Sequence, residues 1–223
     1  MNYLIVVAHP DDEVLGAGAT IYKLIKEGNN VAVAVMVEQA LARKNLSKSL
    51  SDDEERAMNL LGVKKVYHAN FPNIKMNTIP HLELVQFIEN CIVDYGAEMV
   101  ITHHPADTNN DHVMTSYATQ AAIRLFQRRK NVPKLKGVLF MEVPSSTEWS
   151  IDSSSNRFIP NYYKEVGEEG IDIKLKALEE YKGVMRAYPH PRSKEAIKGL
   201  AAYRGAQSGR EYAEVFECVF MAN

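Results

Sequence analysis

Two short stretches of this chain concentrate residue types that hold cations and move protons. The first is His9-Pro10-Asp11-Asp12-Glu13, three carboxylates and an imidazole in five residues. The second runs from His103 to His112 and contains His103, His104, Asp107, Asp111 and His112. Carboxylates crowded against apolar chain are costly to leave unpaired, and a bound cation is one way to satisfy them. Histidine nitrogen and aspartate oxygen are both Zn²⁺ ligands, and a catalytic zinc site keeps one position open for water. The chemistry such a site performs is hydrolysis by activated water. Each stretch alone has an ordinary explanation, because acidic residues also favour helix N-termini and a lone histidine can be a surface or capping residue. Both together point to metal. His9 and Asp12 supply two ligands, and spacing leaves His103, His104 and His112 open as the third. Adjacent residues on an extended segment point to opposite sides, so His103 and His104 do not both ligate easily.

Both stretches follow apolar runs that read as buried strands, residues 3–8 and 98–102. Further strand patterns fall at 31–37, 63–68, 137–142 and 213–220, and helix patterns at 19–26, 51–61, 79–93, 113–125, 173–186 and 193–206. Ser51 with Glu54 has capping-box spacing. Leu15-Gly16-Ala17-Gly18 reads as a glycine-containing turn ahead of the first helix, and residues 144–160 as polar loop. Alternating strands and helices predict an α/β fold, a Rossmann-like mostly parallel sheet with helices on both faces. In such a sheet ligands bind outside the carboxyl ends of the strands, where both His/Asp stretches lie. Without repeats or a separating linker, residues 1–223 read as a single domain.

Composition narrows the function classes. The 223 residues are 46% hydrophobic and 24% charged, enough for a proper core, with a formal net charge of -2 that gives no footprint for nucleic acid. No segment has signal-peptide character or approaches the roughly 20 apolar residues of a membrane span, so the expected location is cytoplasmic. Cys91 and Cys218 lie in apolar patterns and read as buried free thiols. Gly16 and Gly18 form a G-x-G after the first strand, but the third glycine of a dinucleotide site is missing and the preceding carboxylates repel a pyrophosphate.

The chain resembles the LmbE-like, PIG-L-type N-acetylglucosaminyl deacetylases. The resemblance rests on Ala8-His9-Pro10-Asp11-Asp12-Glu13, on Asp107-Thr108-Asn109-Asn110-Asp111-His112, and on the segments 144–149 and 189–193 with Arg204-Gly205. It implies His9, Asp12 and His112 as ligands of Zn²⁺ or another divalent transition metal, and Asp11 as general base for the attacking water. It implies Asp111 as a residue orienting a ligand histidine, and Glu13 as a support of the loop or a cap of the helix. Some members have a histidine where this chain has Asn109; an amide donates to an oxyanion but is no general acid, which makes His190 a candidate to protonate the leaving amine. Arg192 and Arg204, with Arg43 and Lys44, are candidates to grip an anionic group on the substrate, and Trp149 either stacks on a sugar ring or packs in the core. Glu142 and Glu148 are pocket carboxylates or structural partners. The implied substrate is a small amino-sugar conjugate; homo-oligomerisation is left open. The same hydrolase acting on another N-acyl amide, and a sugar- or metal-binding module without catalysis, are the alternatives.

Overall fold

The computed structural model describes residues 1–37, 50–151 and 157–222; Arg43 and Lys44 fall outside these. Seven strands, β1 (Asn2–Val7), β2 (Asn30–Val37), β3 (Lys65–Phe71), β4 (Met99–His103), β5 (Gly137–Met141), β6 (Tyr162–Glu165) and β7 (Ala213–Met221), form one sheet in the order β3-β2-β1-β4-β5-β7-β6. The first five in that order run parallel, and β7 returns antiparallel between β5 and β6. The chain starts in the middle of the sheet, builds outward through β2 and β3, and then crosses back to β4. The order therefore reverses between β1 and β4, which places the topological switch point there.

Helices cover both faces, as expected. The strand β1 alternates sides: Tyr3, Ile5 and Val7 pack in one core and Leu4 and Val6 in the other. The first core is closed by α1 (Asp12–Lys26), α2 (Leu50–Leu61), α6 (Gly167–Glu180) and α7 (Lys194–Gln207), and the second by α3 (His81–Tyr95) and α4 (Asn110–Ala122). A one-turn helix α5 (Leu125–Arg128) follows α4. Among the described residues no helix is long and apolar enough to cross a membrane.

Several boundaries differ from the sequence reading. The first helix starts at Asp12, so Gly16 and Gly18 are helical and form no turn. Their smallness serves close packing: a Cβ on Gly16 would lie 2.5 Å from Met141 Sδ, and one on Gly18 would lie 2.8 Å from Val14 Cγ1 and 3.2 Å from Lys174 Cγ. The helix α2 begins at Leu50, so Ser51 lies inside its first turn. The helix α6 starts six residues before the expected 173 and stops at Glu180, ahead of Gly183 with its φ of +76°. The strand β6 escaped the sequence pattern because a four-residue edge strand leaves no alternation to read. Cys91 is a buried thiol, but Cys218 is only half-buried, since β7 runs out past its cover.

One buried ion pair ties α1, α6 and β7 together behind the site. Lys174 Nζ lies 2.6 Å from Glu214 Oε1 and donates to the Leu15 carbonyl at 2.7 Å. The other Glu214 oxygen accepts from the Thr20 amide at 2.7 Å. A buried charge stripped of its partner is strongly destabilising. Lys174→Met should therefore lower the unfolding free energy by roughly 3–5 kcal/mol, and adding Glu214→Leu should recover most of it; an unchanged denaturant midpoint in the single variant contradicts the account.

Candidate metal centre

Because β1 and β4 are neighbours, the chain leaving each strand emerges at one place. After β1, residues 9–11 turn directly into α1; after β4, residues 104–109 turn into α4. The first turn is tight. Asp11 caps α1 with φ 109° and ψ -27°, an unusual conformation for a side chain other than glycine. Its carbonyl accepts from the Leu15 amide at 2.9 Å, and its amide donates to Glu13 Oε2 at 3.1 Å. The other Glu13 oxygen accepts from the Tyr181 hydroxyl at 2.6 Å. Burial pushes the Glu13 carboxyl well above the usual carboxylate range, against the pull of that hydroxyl. Glu13 thus fastens the loop that carries Asp11 and Asp12.

The centre is the Asp12 carboxylate. Asp12 Oδ2 lies 3.2 Å from His9 Nδ1 and 3.1 Å from His112 Nε2. The outer nitrogen of each ring faces a second carboxylate: His9 Nε2 is 3.1 Å from Asp111 Oδ2, and His112 Nδ1 is 3.1 Å from Asp107 Oδ2. Those carboxylates are fixed in turn. Asp111 accepts from the Ile74 amide at 2.5 Å and the Met76 amide at 3.2 Å. Asp107 accepts from the hydroxyls of Ser146 and, at 2.9 Å, Thr147. Outer-nitrogen hydrogen bonds of this kind set the tautomer and plane of a metal-binding histidine.

Two trios of side chains bring their donor atoms together closely enough to hold an ion: His9, Asp12, His112, and His103, Asp107, His112. Hydrogen bonding separates them. His103 Nε2 accepts from the Ala8 amide at 2.9 Å, so the ring proton of the neutral imidazole is on Nδ1, which has no hydrogen-bond partner among the described residues and offers no lone pair. In the first trio the outer ring nitrogens face Asp111 and Asp107, so each neutral ring can donate outward and offer its inner nitrogen to a cation beside Asp12. The residues His9, Asp12 and His112 fit a divalent cation. His103 stacks flat on His112, ring centroids 3.9 Å apart, and holds its plane.

Proton affinities show the same demand for positive charge. Burial disfavours the charged ring of His9, yet Asp111 and Asp12 raise it to about 10; His112, equally buried, is raised to about 9 by Asp12 and Asp107. His103 is pushed down to about 3 by burial and by the neighbouring His112. Despite burial, Asp107 is held at about 2 and Asp12 well below its usual range, both by His112 first.

The other expected residues fall in varied places. Arg192 reaches the centre, with Nη1 3.6 Å from Asp11 Oδ2 and Nε donating to Ser145 Oγ at 2.6 Å. His190 is exposed, its Nδ1 accepting from the Arg192 amide at 3.0 Å. Asn109 caps α4, its side-chain oxygen accepting from the Asp111 amide at 2.9 Å. Arg204 is bound by two hydrogen bonds to Glu142, and Glu148 accepts from the Ser145 and Ser146 amides, so both glutamates are structural partners. His104 turns away from the centre toward Glu217, 3.4 Å away. Trp149 is 59% exposed, which rules out core packing. The sequence reading assigned no role to Asp107, Ser146 or Tyr181. Asp107 sat in the quoted motif, and its fixed distance of five residues from His112 was the available signal.

Residues 4–123 match the PIG-L family, described as GlcNAc-PI de-N-acetylase. The chain is 29% identical over 187 residues to the uncharacterized deacetylase YaiS of Escherichia coli K12, covering 80% of this chain and 89% of that protein. Its fold is shared with the N,N'-diacetylchitobiose deacetylase of Pyrococcus horikoshii, at TM-score 0.78 and 20% identity over 98% of this chain and 83% of that one. It is shared equally with the 4-carboxy-2-hydroxymuconate hydratase GalB of Pseudomonas putida KT2440, at TM-score 0.77 and 17% identity over 100% and 97%. The chain belongs to the PIG-L family. It is an amide-hydrolysing enzyme of the deacetylase type.

Two outcomes follow from the centre's geometry. Asp111→Ala should weaken metal affinity about 10–100-fold without removing a ligand, as read by competition with a chelating dye; unaltered affinity contradicts the orienting role. Metal uptake at pH 7 should release protons, because His9 and His112 hold theirs above neutrality, and affinity should fall as pH is lowered. Calorimetry in buffers of different ionisation enthalpy reads the proton count.

Proposed function

We propose that this enzyme removes the N-acetyl group from an N-acetylglucosamine-type conjugate, with Zn²⁺ or a similar divalent ion held by His9, Asp12 and His112 and with Asp11 as general base. The observation that carries this reading is Asp11 itself. A non-glycine residue held at φ 109° costs roughly 1–3 kcal/mol. Binding a metal or a sugar needs no carboxylate at that spot, whereas deprotonating a water does.

A bound cation supplies Lewis acidity toward the amide carbonyl and lowers the pKa of water to about 7. Arg192 Nη1, 3.6 Å from Asp11 Oδ2, faces that carboxylate and orients it. Asp11 accepts a proton from the water whose oxygen bonds to the carbonyl carbon. Asn109, its oxygen committed to the α4 cap, has its amide NH₂ left to donate to the developing oxyanion. The C–N bond then breaks, a proton goes to the nitrogen, and acetate and a free amine leave. His190 is suited to that last transfer: with Nδ1 accepting from Arg192, a neutral ring carries its proton on Nε2. Trp149 presents an exposed indole for a sugar face. Arg192 also has guanidinium nitrogens for an anionic group on the conjugate, a task for which Arg204, already bound to Glu142, is less free.

Acetate release from a panel of N-acetylglucosamine conjugates, with longer N-acyl analogues alongside, tests the substrate class; turnover confined to non-sugar amides would overturn it. Asp11→Asn should lower turnover by about 10²–10⁴-fold with metal stoichiometry retained. Asp11→Gly, which relieves the positive φ, should be equally inactive with metal stoichiometry retained. Full activity in either variant removes Asp11 as the base.

A further inference from the structure

Ile74 lies on the loop between β3 and α3 and has a φ of 59°, a left-handed conformation that a β-branched residue rarely takes. Its amide is needed, since it donates to Asp111 Oδ2, which in turn holds His9. A glycine at this position would make the same hydrogen bond without the strain. The side chain is 58% exposed, so most of its apolar surface is left in water. Its neighbour adds a second cost, for Asn73 Oδ1 is buried without a hydrogen-bond partner among the described residues. A strained residue whose apolar side chain is turned to solvent beside a metal centre is explained when that side chain meets a ligand.

The opposite flank of the centre has a parallel construction. Trp149, 59% exposed, sits on the turn that follows Ser146 and Thr147, the two residues that hold Asp107 behind His112. The two histidines of the trio are therefore each backed by a carboxylate, and each carboxylate is held by a loop that turns one large apolar side chain outward. From this geometry we infer that Ile74 is a specificity residue: it contacts a hydrocarbon part of the substrate, so that the preferred conjugate carries an alkyl chain near the reacting amide. The inference rests on the deacetylase reading for what is turned over. Ile74 itself leaves two sources of hydrocarbon, an acyl chain longer than acetyl or an alkyl aglycone.

The metal-loaded enzyme should be assayed on methyl N-acetylglucosaminide, octyl N-acetylglucosaminide and methyl N-hexanoylglucosaminide. The parent enzyme should show a lower KM for one of the two chain-bearing substrates, and that substrate names the source. Ile74→Gly should lose about tenfold of that preference, read in KM, as expected for part of the burial of one aliphatic side chain, while melting no lower than the parent. An equal KM change on all three substrates, or a lowered melting temperature, overturns the inference. If none of the three is hydrolysed the deacetylase reading fails, but Ile74 is still tested by binding. Trp149 is the chain's one tryptophan, so its fluorescence reports octyl against methyl glucosaminide directly. A preference for the octyl compound that Ile74→Gly abolishes supports the inference; equal binding of both contradicts it.

Discussion

The structure is organised around negative charge that cannot stand alone. Asp11, Asp12, Asp107 and Asp111 are all buried at the carboxyl ends of β1 and β4, the last three linked to one another through His9 and His112. Isolated carboxylates in such a place would neutralise rather than remain ionised. Here Asp12, Asp107 and Asp111 are held ionised beside two imidazoles whose proton affinity is raised above neutrality, surroundings that favour positive charge. The Asp12 oxygen shared by both rings marks where that positive charge belongs.

Everything nearby serves to keep that oxygen in place. Glu13 and Tyr181 fasten the loop after β1, two backbone amides of the loop after β3 fix Asp111, and two hydroxyls of the segment after β5 fix Asp107. The tail segment ahead of α7 then brings Arg192 to Asp11. Four separate connections thus converge above the switch point between β1 and β4, and each carries a polar group that would be unsatisfied if its neighbour moved. The buried Lys174–Glu214 pair does the same for the framework, locking α1 to α6 and β7 so that the first turn of α1 cannot drift. The fold alone does not select the reaction, since a hydratase shares it.

Much of this was legible in the chain because it is local. Apolar runs announced β1, β2, β4, β5 and β7, and the two His/Asp stretches announced the centre. What could not be read was tertiary. Gly16 and Gly18 looked like a turn because nothing in the sequence says that Met141 and Lys174 press against that face of α1. The choice of His112 over His103 came only from family resemblance; the hydrogen bond from the Ala8 amide to His103 Nε2, which favours the proton on Nδ1, had no signal in the sequence. Arg192 lies 181 positions from Asp11, and Ile74 is marked only by a backbone angle, so neither had a spacing to betray its place.

X-ray absorption at the edge of the loaded metal tests the central claim most directly. The trio His9, Asp12 and His112 predicts one ion per chain with two imidazole nitrogens at about 2.0–2.1 Å, oxygen at about 2.0–2.2 Å and no sulfur, with one imidazole lost in His9→Ala and one in His112→Ala. An unchanged imidazole count in both variants, or a third imidazole that disappears in His103→Ala, would contradict it.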